Sequence, residues 1–236
     1  MPEPQIVAMG GLGEADEAGT LLTFVLGLTG KERPRVCLIP TASAEKPEFI
    51  VRFYAELNRV AECSHVSFYP WPPEGLRELV LSQDALFVSG GNTANMLAVW
   101  RAHGFDQIVR EAWEQGIVLA GSSAGMICWF EAGVTDSFGP QLEGMRDGLG
   151  FIPGSACPHY DGEERRRPVY QELVANGFPP GIAADDAVAL HYVGTELREA
   201  VTTRDDSRAY RLEPDSETPI DTRILGKEKG PPEGGP

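Results

Sequence analysis

The stretch that most constrains this chain is Ile117-Val118-Leu119-Ala120-Gly121-Ser122-Ser123-Ala124-Gly125-Met126-Ile127-Cys128. An apolar run rich in β-branched residues stops at Gly-Ser-Ser-Ala-Gly, then resumes as an apolar run suited to a helix. This is a G-x-S-x-G sequence in the setting that pattern requires: strand, sharp turn, helix. A residue at the tip of so tight a turn is driven toward positive φ, and bulky groups two positions away collide with the turn. Gly121 and Gly125 occupy those positions around Ser123, whereas Ser122 is flanked by Ala120 and Ala124. Ser123 is therefore the candidate nucleophile. A strand-to-helix turn that merely favours small residues gives the same pattern, so partners elsewhere in the chain must decide.

Short apolar runs alternate with longer amphipathic ones before this turn. Strands are expected at Gln5–Met9, Arg35–Ile39, His65–Phe68 and Ala85–Val88. Helices are expected at Leu21–Leu28, Pro47–Ala61, Leu76–Leu81, Ala94–His103 and Phe105–Gln115, with Phe49, Val51, Phe53, Leu57 and Val60 as apolar positions of the second. This rhythm predicts an α/β fold, a mostly parallel sheet with helices on both faces, hence three layers. After Phe130 the pattern loosens. Residues 131–162 are rich in Gly, Pro and Asp, Val169–Ala175 reads as a helix, and Gly181–Ala184, Ala187–Tyr192, Ala200–Thr203 and Arg208–Leu212 as short strands. Lys227–Pro236 has almost no apolar residue and is expected to be a disordered tail, leaving 1–226 as one domain.

The chain is long enough, at 236 residues, for a substantial core. No apolar run approaches the roughly 20 residues that cross a bilayer. Met1-Pro2-Glu3-Pro4 lacks the basic and apolar parts of a signal peptide, so a cytoplasmic location is the expectation. Four cysteines without C-x-x-C spacing argue against disulfides and structural zinc. A net charge of −15 argues against nucleic acid and anionic membranes as partners.

Gly10-Gly11-Leu12-Gly13 resembles half of a dinucleotide fingerprint. The third glycine of that pattern falls on Asp16, and the next strand ends in Ile39-Pro40-Thr41 without an acid. A strand-end turn accounts for it better.

Ligands of open parallel sheets bind beyond the carboxyl ends of the strands. Three such ends carry informative residues: Ser123, the Gly10-Gly11 turn, and Gly90-Gly91-Asn92-Thr93. A glycine at 91 leaves a backbone N–H free to point into the cleft, and with the N–H of Ala124 it forms a candidate oxyanion hole. Asn92 or Thr93 also fits as the cap of the next helix. A serine nucleophile needs a base. Among four histidines, His65 and His103 read as structural, His191 lies inside a strand, and His159 lies in the loop-like Cys157-Pro158-His159-Tyr160-Asp161-Gly162. Loops carry catalytic groups more often than strand interiors, which favours His159 over His191. The orienting carboxylate is one of Asp136, Asp161, Asp185 or Asp186; spacing alone does not choose.

Taken in order, Gly90-Gly91-Asn92-Thr93, Gly121-Ser122-Ser123-Ala124-Gly125, Pro158-His159-Tyr160-Asp161 and Gly181-Ile182-Ala183-Ala184-Asp185-Asp186-Ala187 resemble the peptidase E (aspartyl dipeptidase) family of serine peptidases, relatives of cyanophycinase. The likeness spans roughly residues 5 to 212. It implies a flavodoxin-like, class I glutamine-amidotransferase-like fold, and a triad of Ser123, His159 and Asp186, with Gly91 and Ala124 at the oxyanion. It further implies hydrolysis of dipeptides or short peptides, Asp-X dipeptides among them, with no metal or organic cofactor and as a monomer or homodimer. Asp186 stands where many members have Glu, so its shorter side chain needs a nearer backbone, and Asp185 is the alternative acid. Asp136 resembles a further acidic position, and Asn92 is a further supporting candidate. Aspartyl selectivity needs a cation, for which Arg165 and Arg166 in Arg165-Arg166-Arg167 are the candidates, unless that run is a solvated face. Three rival readings are cyanophycinase-like cleavage of β-linked Asp-Arg, an α/β-hydrolase-type esterase using Ser123, Asp136 and His159 in that order, and a non-catalytic ligand-binding domain.

Overall fold

The computed structural model describes residues 3–13 and 15–226, with residues 15–18 as backbone only. The expected tail, Lys227–Pro236, lies outside the described residues. The first half of the chain realises the anticipated rhythm as β1 (Gln5–Met9), α1 (Ala15–Leu28), β2 (Arg35–Ile39), α2 (Pro47–Leu57), β3 (Glu62–His65), α3 (Leu76–Leu81), β4 (Ala85–Val88), α4 (Thr93–Ala102), α5 (Phe105–Glu114) and β5 (Val118–Ser122). There follow α6 (Ala124–Ile127), β6 (Phe130–Thr135), β7 (Glu143–Met145), β8 (Ile152–Cys157), α7 (Arg166–Ala175), β9 (Gly181–Ala184) and β10 (Val188–Val193). The chain closes with β11 (Glu196–Thr202), β12 (Ala209–Glu213), β13 (Ser216–Ile220) and β14 (Thr222–Ile224).

These strands form two sheets. The larger runs β14-β11-β10-β1-β5-β4-β2-β3, parallel from β1 through β3 and antiparallel where β10 meets β1 and β11. The second runs β13-β12-β9-β8-β6-β7, with β6, β8 and β9 parallel at its centre. Central parallel strands are buried on both faces and so read as continuous apolar runs. Thus β1, β2, β4 and β5 expose almost nothing beyond their first residues. One face of the large sheet packs Val7, Met9, Phe87 and Ala120 against Leu21, Leu22, Phe53 and Leu57 of α1 and α2. The other packs against α4 and α5 and continues into the second sheet through Ile152, Ala156 and Ile182. Helix α7 covers the far face of the second sheet with Tyr170 and Val174.

The anticipated α/β class and helix placement hold, and three local expectations change. The strand expected at His65–Phe68 lies instead at Glu62–His65, in parallel register with Arg35–Leu38 at the sheet edge. Val66 and Phe68 look strand-like because the loop that follows drops both into the core, at 0% and 2% exposure. Helix α2 ends at Leu57 rather than Ala61, and only Phe53 and Leu57 are buried, leaving Phe49, Val51 and Val60 exposed. Residues 131–162 carry half of a second sheet. Its glycines are packing devices: a Cβ on Gly133 of β6 would stand 2.5 Å from Ile127 Cγ2 of α6.

The chain crosses between the sheets four times, at β5–β6, β9–β10, β11–β12 and β13–β14, and the first two crossings carry candidate site residues. Helix α6 leads from β5 of the first sheet to β6 of the second, and Asp185-Asp186-Ala187 leads from β9 back to β10. Trp100 of α4 is fully buried, meets Phe105 edge-on at 5.1 Å, and donates its indole N–H to Thr41 Oγ1 at 3.1 Å. Replacing Trp100 by Ala is expected to lower unfolding free energy by about 3–5 kcal/mol in urea titrations. Trp100→Phe, which keeps most of the volume, is expected to cost less than half of that.

Candidate active site

Ser123 stands at the turn between β5 and α6 with φ 59° and ψ −109°, far from any conformation common to L residues. Such a conformation costs on the order of 1–3 kcal/mol and persists only where the surroundings impose it. The surroundings are explicit. Ser123 N–H donates to Met9 O (3.0 Å), and Ser123 O accepts from Met126 (2.8 Å) and Ile127 (3.0 Å). A Cβ on Gly121 would lie 2.4 Å from Gly125 O, and one on Gly125 would lie 2.4 Å from Val88 O. The motif glycines are therefore places where backbone touches backbone.

The turn after β4 approaches from one side. A Cβ at Gly90 would sit 3.2 Å from Ser123 Cβ, and one at Gly91, whose φ is 138°, would sit 2.0 Å from Ala42 O. Asn92 N–H donates to Ala42 O at 2.8 Å. The Asn92 side chain is spent on structure: its Oδ1 caps α4 by accepting from Asn95 N–H (2.8 Å), and its Nδ2 donates to Ser137 O (2.9 Å). Among the described residues, neither Gly91 N–H nor Ala124 N–H donates to a protein acceptor.

The second sheet supplies the other half. His159, just past β8, adopts φ 52°, and its Nδ1 is 2.6 Å from Asp186 Oδ1. The charged carboxylate accepts from Nδ1–H, and that bond holds the Asp186 carboxyl below its usual range, against the opposing effect of burial; Arg204 and Arg166 add weaker attraction. Asp186 N–H donates to Asp161 Oδ1 at 2.8 Å, and Ala187, at φ 63°, donates to Gly11 O at 2.9 Å. Gly11 pairs with Asp186 in a parallel bridge. A Cβ on Gly11 would lie 1.9 Å from Asp186 Oδ1 and 2.9 Å from His159 Nδ1, and one on Gly162 would lie 2.6 Å from Asp186 Oδ2. Gly11 and Gly162 thus belong to the site: Gly11 lies in a strand-end turn on the side of the sheet where the sequence reading expects ligands, whereas Gly162 reads only as a loop residue.

Ser123 and His159 line one cavity of about 560 Å³ at the carboxyl ends of β1, β2, β4 and β5. Among the described residues no hydrogen bond joins Ser123 Oγ to His159. Other candidates lie elsewhere. Asp185 is 3% exposed and accepts from Arg208 N–H at 2.7 Å, and burial pushes its carboxyl up to about 6. Asp136 is exposed and outside the cavity lining. Arg166 is 3% exposed and committed to Val134 O and Glu163, each at 2.7 Å, so it buttresses the fold and does not face a substrate. Arg165 is exposed at the start of α7, and Arg167 pairs with Glu217 and lies over Tyr160 and Tyr210. Of the remaining histidines, His65 meets Tyr54 OH, His103 ends α4, and His191 is held inside β10 by Gln5. Among the described residues no group of three His, Cys, Asp or Glu is placed to hold a metal ion, and no helix is long and apolar enough to cross a membrane.

Comparisons with known proteins bear on the family and the fold. The uncharacterized peptidase YgaJ of Bacillus subtilis (strain 168) is 44% identical over 231 residues, covering 94% of this chain and 99% of the relative. Peptidase E of Shewanella denitrificans is 27% identical over 134 residues, 53% of this chain and 57% of its own. In fold, the chain is similar to a peptidase from an acI-B1 actinobacterium (TM-score 0.70, 18% identity, 95% and 96% coverage). It is also similar to a putative peptidase E protein from Listeria monocytogenes EGD-e (TM-score 0.62, 17% identity, 86% and 98% coverage). The profile of peptidase family S51 matches residues 6–200, and the chain belongs to that family.

Proposed function

We propose that Ser123, His159 and Asp186 are the catalytic unit of a serine peptidase that cleaves dipeptides or short peptides. The observation that carries this reading is the 2.6 Å bond of His159 Nδ1 to Asp186 Oδ1 at the wall of the cavity that Ser123 also lines. That bond leaves Nε2 as the basic nitrogen of a neutral imidazole. Ser123 Oγ attacks the scissile carbonyl carbon while Nε2 takes the hydroxyl proton. The carbonyl π pair moves to oxygen, where Gly91 and Ala124 N–H donate to it. The intermediate collapses, the C–N bond breaks, and the imidazolium returns the proton to the leaving amine. Water then attacks the acyl-enzyme with the same base, releasing the acid and restoring Ser123. Resting enzymes commonly hold the nucleophile and base apart until substrate arrives, in keeping with the unmade Ser123–His159 bond.

The esterase order through Asp136 loses support from the exposure of Asp136, and Asp186 takes the place beside His159. Gly11 lets the shorter Asp serve where a Glu is frequent, because β1 can close on Asp186 without a side chain between them.

Steady-state hydrolysis of a dipeptide library tests the assignment. Ser123→Ala is expected to lower kcat by at least about a thousandfold, and Asp186→Asn by about a hundredfold to ten-thousandfold. Asp185→Asn is expected to lose less than tenfold, so the reverse ranking would reassign the acid. Gly11→Ala is expected to cost more than a hundredfold in kcat while the chain stays folded by circular dichroism. Asp185 binds protons more tightly folded than unfolded. Stability is therefore expected to fall as pH rises from about 4 to about 6, and Asp185→Asn to flatten that decline in urea midpoints.

A further inference from the structure

The cavity beside Ser123 has a composition that the catalytic unit does not explain. Its floor is Leu38, Phe53 and Phe87, each no more than 5% exposed, with Ala42 and Leu22 beside them. Phe53 and Phe87 stack with centroids 6.5 Å apart and planes 27° from parallel. Phe49 lies one turn before Phe53 on the same face of α2 and also lines the cavity, yet it is 46% exposed. A large aromatic ring left half in water at the lip of an apolar hollow retains area that a ligand can bury.

Charge is confined to the rim. Lys46 and Arg52 line the cavity from α2 and its approach, and Arg52 is bound to Glu56, which also lines it, at 2.7 Å. The arginine run at 165–167 does not line it. A carboxylate pushed against Leu38, Phe53 and Phe87 would lose its water to side chains that donate no hydrogen bond, and donors that also line the cavity, such as the Ser89 hydroxyl and Lys46, are not part of that apolar wall. A volume of about 560 Å³ suits a small ligand and exceeds what one aspartyl side chain fills.

We propose that this hollow is the selectivity pocket of the peptidase, and that it takes a large apolar side chain, aromatic or long aliphatic, on a residue flanking the scissile bond. The inference rests on the serine-peptidase reading of Ser123. It makes Phe49, Phe53, Phe87 and Leu38 specificity-determining residues and places aspartyl peptides among the poor substrates.

Two measurements separate the inference from its premise. The first compares kcat/KM for Phe-Ala, Ala-Phe, Leu-Ala, Ala-Leu, Ala-Ala and Asp-Ala on the intact chain and on Ser123→Ala. Ser123-dependent hydrolysis of a Phe or Leu peptide at least about tenfold faster than of Ala-Ala and Asp-Ala supports the pocket, and the Phe-Ala to Ala-Phe ratio tells which side of the bond it serves. The second uses Phe49→Ala, an exposed position whose loss leaves folding intact, and Phe87→Trp, which fills the floor. Each is expected to shrink the ratio of bulky to alanine substrate by about fivefold or more. Ser123-dependent turnover with Asp-Ala preferred, or a bulky-to-alanine ratio unmoved by both variants, overturns the pocket and leaves the catalytic unit standing. Hydrolysis that survives Ser123→Ala overturns the premise itself.

Discussion

At four points around one hydroxyl a glycine lies against its neighbour with no room for a side chain, three times against backbone and once against a carboxylate, and the site depends on those contacts. Gly121 lies against Gly125, Gly125 against Val88, Gly91 against Ala42, and Gly11 against the Asp186 carboxylate. Each gap is smaller than a methyl group requires. Close approach fixes the strained turn at Ser123, aims the Gly91 and Ala124 amides, and lets β1 seat the His159–Asp186 pair. Folding therefore carries the cost of the strained backbone, and the core of two packed sheets offsets it.

The architecture explains how the candidate site residues come together from distant stretches of sequence. Ser123 and Asp186 both stand on segments that pass from one sheet to the other, and His159 follows a parallel strand of the second sheet. The carboxyl ends of β4 and β5 thus face those of β8 and β9 across one cleft. Ser123 and Ala187 hold positive φ and are anchored to the first sheet by N–H bonds to Met9 O and Gly11 O, whereas His159, also at positive φ, accepts from Glu163 N–H within its own loop. Deforming either crossing would move Ser123 or Asp186, so the packing of the two sheets and the geometry of the candidate site are coupled.

Much of this was legible beforehand, for physical reasons. The central strands are buried on both faces, so β1, β2, β4 and β5 stand out as apolar runs, and the elbow announces itself because only glycine fits two of its positions. In the second sheet β9 and β12 read as short strands, whereas β6, β7 and β8 did not stand out because they are short, interrupted by Pro153 and Gly154, and register-shifted between Phe130 and Ala132. β3 was displaced because an edge strand needs little apolar content while the loop after it needs more. Asp186 was singled out over Asp185 by resemblance, and geometry pairs it with His159 while directing Asp185 to Arg208. What Gly11 and Gly162 do for the Asp186 carboxylate stays hidden because neither has a side chain to read, and charge misleads at Arg166, which looks like a substrate cation and is buried against Val134 O and Glu163.

One cavity joins the two halves of the account: Ser123 and His159 line it at the junction of the sheets, and Leu22 of α1 and Phe49 and Phe53 of α2 line its apolar side. The most direct test of the whole account is a crystal structure of the chain after reaction with a peptidyl diaryl phosphonate, which mimics the tetrahedral intermediate. The account predicts phosphorus bonded to Ser123 Oγ and a phosphoryl oxygen within hydrogen-bond distance of both Gly91 and Ala124 N–H. An adduct on any other residue, or an oxygen turned away from those two amides, would contradict it.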